Sequence, residues 1–217
     1  MSVATAAPPQ APDVSASAPA PQARPTSPPD HRPWHMPLAV YEKITESGIL
    51  NRDDGVRHVY LWEGTLCDRM TIYRPHGLGV KNIYDAMKAL GIVGYDAETE
   101  LPMAFRKADS APQPDVKVIR GRSKDYNPRM PTTADVPLVV EVAESSLSKD
   151  RALASNYAIE EIPVYWLMNL TTNHLEVYSA PVDGVYTSIQ ILGPGDEVPV
   201  VLDGREVGRI PVADLLP

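Results

Sequence analysis

The sequence predicts an α/β or α+β fold built on a mixed central β-sheet flanked by helices, with extra antiparallel hairpins. Three observations predict it. Strand-like runs stand before and after a single strand–helix–strand unit, Val136–Ala143, Ser148–Ile159 and Val164–Met168. Val136–Ala143 is almost unbroken apolar sequence until Glu141, the pattern of a strand covered on both faces. Short loops with Gly, Pro or Asn separate the remaining strands, as antiparallel hairpins require.

Length and composition set the frame. The 217 residues are 43% hydrophobic, enough for one domain with a tail. Residues 1–36 carry nine prolines among Ala, Ser and Gln, have little to bury, and read as a disordered or polyproline-like tail. A ligand for a proline-binding module is the second reading of that tail. The folded domain is expected over 37–217. The two arginines of the 1–36 tail balance its two aspartates, so the net charge of −8 belongs to residues 37–217. That charge argues against wholesale attraction to nucleic acid or anionic lipid, so a nucleic-acid role needs a local basic patch or a metal. The single cysteine, Cys67, excludes an internal disulfide and a cysteine-based zinc site. With no signal-peptide layout and no apolar run of roughly 18 residues, a cytoplasmic protein without a membrane span is the expectation.

The elements follow in order. Leu38–Ser47 reads as a short helix, with Pro37 at its first turn and Gly48 past its end. Val56–Trp62 and Thr65–Tyr73 read as a hairpin turning at Glu63-Gly64. Val80, Ile83, Tyr84, Met87 and Leu90 recur at helical spacing after His76. Leu101–Phe105 reads as a strand with Pro102 marking an edge, and Asp115–Ile119 as the next. Ser148–Ile159 is helical with Ser148 as its cap, and Val164–Met168 pairs with Leu175–Tyr178 across Thr171-Thr172-Asn173. Val185–Leu202 alternates and turns at Gly193-Pro194-Gly195. Asp203-Gly204 marks another turn, and Val212–Leu216 closes the chain as a helical turn.

Asp115 and Glu141 stand out because a carboxylate in or beside an apolar strand is costly without a partner or a metal. With Glu144 or Asp150 they form a carboxylate set, and two acids at adjacent strand ends suit magnesium, which takes one or two carboxylates, waters and phosphate oxygens. The bland alternative makes Asp115 a turn residue after Pro114 and Glu141 part of a solvated face. His76, at a helix start, fits a general base, a phosphate contact or a metal neighbour, or simply a surface residue. Lys117, Arg120, Arg122, Lys124 and Arg129 crowd one loop offset by Asp125, a local excess that suits a phosphate backbone or a solvated loop equally. Other motifs are weak. Gly77-Leu78-Gly79 lacks a third glycine, Ser145-Ser146 lacks a nucleophile elbow, and no HExxH or Walker loop is present.

From Val56 onward the chain resembles the large bacterial family described as restriction endonucleases, a branch of the PD-(D/E)xK nuclease superfamily. The matching pieces are Tyr60-Leu-Trp-Glu-Gly64, Arg74-Pro-His76, Pro112-Gln-Pro-Asp115-Val, Val139-Val-Glu-Val142, Ser145-Ser-Leu, Asp150-Arg151, Tyr157, Ile162-Pro-Val-Tyr-Trp166 and Ile210-Pro-Val-Ala-Asp-Leu-Leu216. The resemblance implies a restriction-endonuclease-like core, Mg²⁺ (or Mn²⁺) at Asp115 and Glu141, and supporting roles for His76 and Asp150. DNA is the implied substrate, met by the Lys117–Arg129 loop, and a homodimer would suit cutting both strands.

One departure matters. The family's catalytic lysine lies on the helix, after an Asp-Arg pair and before the Tyr. Here Asp150-Arg-Ala-Leu-Ala-Ser-Asn-Tyr157 is one residue short, and the lysine position falls on Ala154 counted forward or Leu153 counted back. Lys149 or Arg151 are the available substitutes, although a guanidinium can only stabilise charge. Two readings follow: a metal-dependent endonuclease, or a catalytically degraded member that keeps the fold as a nucleic-acid-binding or protein-interaction module.

Overall fold

The computed structural model describes residues 33–51, 59–68, 73–144 and 147–217. Contacts divide the chain after Trp34, and the fold below is that of His35–Pro217. Almost all of the proline-rich segment, Ser145-Ser146 and parts of the first hairpin lie outside the described residues.

The centre is a six-stranded sheet in the order β3 (Tyr95–Thr99), β4 (Val116–Arg120), β5 (Leu138–Ala143), β6 (Val164–Asn169), β7 (His174–Val182), β8 (Val185–Leu192). Only β5 and β6 run parallel, because α3 (Leu147–Ile159) crosses between them. The other pairings are antiparallel.

Alternation along β5 and β6 divides the core into two layers. Val140, Val142, Trp166 and Met168 meet α2 (Arg74–Ala89) through Val80, Ile83 and Met87. The hairpin of β9 (Glu197–Leu202) and β10 (Arg205–Pro211), with α4 (Val212–Leu215), completes that layer. Val139, Tyr165 and Leu167 meet Ala154, Tyr157 and Ala158 of α3 in the second layer. A smaller cluster joins α1 (Leu38–Glu46) to β1 (Val59–Trp62) through Leu38, Tyr41 and Leu61. β1 pairs with β2 (Thr65–Asp68) across Glu63-Gly64, whose positive φ values, 44° and 70°, are those of a tight hairpin turn.

Two expectations need correction. Leu101–Phe105 is not a strand: Ala104 and Phe105 make isolated bridges, and the Leu101 carbonyl is taken by Lys117 Nζ at 2.7 Å. The strand lies earlier, over Tyr95–Thr99, where Asp96 and Glu98 obscured it. Their charges are met by Lys88 and Lys117. Ser148 is the second residue of α3 and so is not its cap.

Candidate active site

The site is set by strand register. β4 runs antiparallel to β5 with Val116 opposite Val140, so Asp115, just before β4, falls beside Glu141. The Asp115 N–H donates to Glu141 Oε2 at 3.3 Å, and the Val142 N–H donates to Asp115 Oδ2 at 2.8 Å. Asp115 is 8% exposed. The first turn of α2 brings His76 Nε2 to 3.0 Å from the same Oδ2. Helix and strand meet closely there: a Cβ added at Gly79 would lie 3.2 Å from Val142 Cγ1, which gives the second glycine of Gly77-Leu-Gly79 a packing role.

The opposite face contributes α3. Asp150, Ala154, Tyr157 and Ala158 are its buried stripe, at spacings of four, three and one. The Tyr157 hydroxyl donates to Glu141 Oε1 at 2.6 Å. Tyr165 stacks on Tyr157 with ring centroids 5.0 Å apart, and its hydroxyl donates to the Asp150 carbonyl at 2.9 Å. Phe105 meets the edge of Tyr157 at 5.5 Å. Both partners of Glu141 are thus held by rigid elements.

Electrostatics mark the same residues. Burial, then the charge of Asp115, pushes the Glu141 carboxyl well above its usual range; the Tyr157 hydroxyl and the Asp115 N–H oppose this only in part. The hydrogen bond to Asp115 raises the His76 imidazole, against burial and with help from the charges of Asp115, Glu100 and Asp150. Burial, followed by Glu141, holds the Tyr157 phenol well above its usual range, so it stays a donor. Perturbed neighbouring groups of this kind mark a candidate functional site.

The donor set suits a hard divalent ion of the magnesium type. Among the described residues no group of three or more His, Cys, Asp or Glu side chains is placed to hold a metal ion. Magnesium takes as few as one or two carboxylates, with waters and phosphate oxygens as its other ligands.

The helix positions also resolve. Ala154 lies in the buried stripe one turn after Asp150, while Leu153 packs at the margin of the second layer. Ala154 is therefore the position facing the same way as Asp150 and Tyr157. Arg151 cannot serve as substitute cation, because its guanidinium is committed to the buried Glu176, itself bonded by the Tyr178 hydroxyl at 2.5 Å. Lys149 is exposed and off the stripe.

The basic cluster divides. Lys117 is 0% exposed, with Nζ 2.8 Å from Glu98 Oε2, and cannot reach a phosphate backbone; burial lowers its pKa. Strand alternation points it inward, which a count of loop charges cannot show. Arg120 is tied to Asp203. Arg122, Lys124 and Arg129 are exposed, with Arg122 paired to Asp125 at 2.9 Å and Arg129 to Asp135 at 3.2 Å. Two contributors have no site role assigned from sequence. Tyr157 has a signal, its place two turns after Asp150. Glu100, whose charge acts on His76, has none beyond its φ of 54°, which only the structure reveals.

Residues 38–213 match the model of the Uma2 family, described as "Putative restriction endonuclease". The chain belongs to the Uma2 family. Among solved structures, it resembles one described as a "putative nuclease belonging to DUF820" from Anabaena variabilis, with a TM-score of 0.58 and 15% identity over 78% of this chain and 96% of that one. At that identity the likeness shows a shared fold, a mixed sheet flanked by helices. No curated protein matches the sequence. Among the described residues no helix is long and apolar enough to cross a membrane. Within the Uma2 match lie Asp115, Glu141, His76, Asp150 and Tyr157.

Proposed function

We propose that this Uma2 protein is a divalent-cation-dependent endonuclease that hydrolyses DNA phosphodiester bonds. The observation that carries the reading is the Asp115–Glu141 pair, joined across β4 and β5 and braced by His76 on one side and Tyr157 on the other. Asp115 and Glu141 are the residues that would hold Mg²⁺ or Mn²⁺, which when bound supplies an activated water and offsets charge on the phosphate. His76 keeps its proton to higher pH than a free imidazole, so it brings positive charge to an otherwise acidic site. Asp150 and Tyr157 position: the first adds negative charge beside Glu141, the second fixes which way Glu141 points. Arg122, Lys124 and Arg129 form the exposed basic surface for the backbone. The ion pairs of Arg122 and Arg129 are of the solvent-exposed kind, worth about 0–1 kcal/mol, and exchange readily for phosphate.

A second reading has its own observation. The lysine position is a buried Ala154, and Arg151 is held by Glu176. A chain so altered would retain DNA or protein binding without turnover. Nicking of supercoiled plasmid and cleavage of single- and double-stranded DNA with Mg²⁺ or Mn²⁺, run beside Asp115→Ala, separates the two. Activity lost in the variant supports the enzyme. Equal silence of both proteins, with DNA still bound, supports the binding module.

A further inference from the structure

The two edges of the six-stranded sheet are built differently. At one edge, β3 carries Asp96 and the inward-pointing Glu98, and the Ser123–Tyr126 turn packs against it. The Ser123 N–H donates to Asp96 Oδ2 at 3.2 Å and its hydroxyl to Glu98 Oε1 at 2.5 Å. Charges, inward-pointing ones included, and covering loops are the usual devices that stop an edge strand from pairing with another chain. At the other edge, β8 has none of them. Its eight residues, Val185–Leu192, contain no charge, no proline and no glycine. Val185, Ile189 and Ile191 are 61%, 57% and 63% exposed, and Thr187 between them is exposed as well. Among the described residues β8 pairs only with β7, so its other side offers unpaired backbone groups.

We propose that β8 is a homodimer interface: the β8 strands of two copies pair antiparallel about a twofold axis at Ser188, joining two six-stranded sheets into one. The sequence of the strand is self-complementary in that register. Ser188 meets Ser188, Thr187 meets Ile189, Tyr186 meets Gln190, and Val185 meets Ile191. Each exposed aliphatic residue thereby gains a cross-strand neighbour, and no charge is buried. A chain with net charge −8 repels its own copy, and the uncharged strand is where two copies approach at least electrostatic cost. The blunted β3 edge excludes the head-to-tail alternative, β8 on β3, which would grow without limit. The symmetric pairing closes on itself. This inference is independent of the nuclease reading, since neither β8 nor β3 contributes a catalytic side chain.

Sedimentation equilibrium of the full chain over a wide concentration range tests it, with Ile189→Lys as the interface variant. The wild type is expected to sediment at twice the chain mass of 23.7 kDa, and Ile189→Lys at the single mass with unchanged circular dichroism. As a second measurement, Ser188→Cys in a Cys67→Ser background is expected to form a disulfide-linked dimer on mild oxidation. A wild type that is monomeric at every concentration overturns the proposal. So does a dimer that Ile189→Lys leaves intact, or a Ser188→Cys protein that does not cross-link.

Discussion

Replacing Glu141 by Gln should stabilise the cation-free protein at neutral pH, although it removes a residue assigned to the active site. The Glu141 carboxyl is pushed well above its ordinary value of 4.5, by burial first and by Asp115 second. As pH rises past that ordinary value, the unfolded chain releases this proton before the folded one does. The folded state then binds more protons, and stability falls with pH until the raised folded value is passed. Gln abolishes that loss. The effective cost of a buried ion is several kcal/mol. Against it stand the Tyr157 hydroxyl and the Asp115 N–H, each worth about 1.5–3 kcal/mol to a charged acceptor. The Gln carbonyl can still accept from Tyr157, whereas its amide cannot accept from Asp115. Glu141 also keeps part of its surface open to solvent. The net gain is therefore set at about 1 kcal/mol, or roughly 2–4 °C in Tm for a chain of this size. Thermal melts in chelator, followed by circular dichroism from acid to neutral pH, measure it. The difference between Glu141→Gln and wild type should vanish or reverse below the ordinary carboxylate value and grow as pH rises. A pH-independent difference, or a variant less stable than wild type at neutral pH, refutes the reasoning.

Two further outcomes follow from the same geometry. Restoring a cation on the α3 stripe with Ala154→Lys should raise any Mg²⁺-dependent cleavage by about 10²-fold, the low end of what a positioned acid–base group contributes. Leu153→Lys, off the stripe, should leave the rate unchanged; equal gains from both substitutions would contradict the placement of Ala154. Lys117→Met should cost about 3–5 kcal/mol in chemical denaturation, because it leaves Glu98 buried without its counter-charge. Pairing it with Glu98→Leu should recover most of that loss, and a single variant that is nearly neutral would show that the buried pair is not formed.

Much of the fold was legible because its signals are local. The continuous apolar run of β5, the helical spacing of Val80, Ile83 and Met87, and the turn residues at Glu63-Gly64 and Asp203-Gly204 each specify an element without reference to the rest of the chain. The strand at Tyr95–Thr99 was not legible, because its charged residues are satisfied by partners distant in sequence: Glu98 lies directly opposite Lys117 on β4. For the same reason Lys117 looked like a surface cation. Asp115 and Glu141 could be singled out as acids in apolar surroundings, whereas the hydrogen bond from Tyr157 to Glu141 depends on how α3 crosses the sheet. The commitment of Arg151 to Glu176 was equally hidden, since it joins a helix to a strand 25 positions away.

The central claim is that Asp115 and Glu141 together hold a divalent cation, and it can be tested without turnover, so the missing helix lysine does not interfere. Mn²⁺ titrated into the full chain and followed by electron paramagnetic resonance measures free and bound ion directly. The wild type should bind Mn²⁺, in competition with Mg²⁺, and Asp115→Ala and Glu141→Gln should each lose that binding while remaining folded. Binding that is equal in all three proteins, or absent from the wild type, would contradict the account.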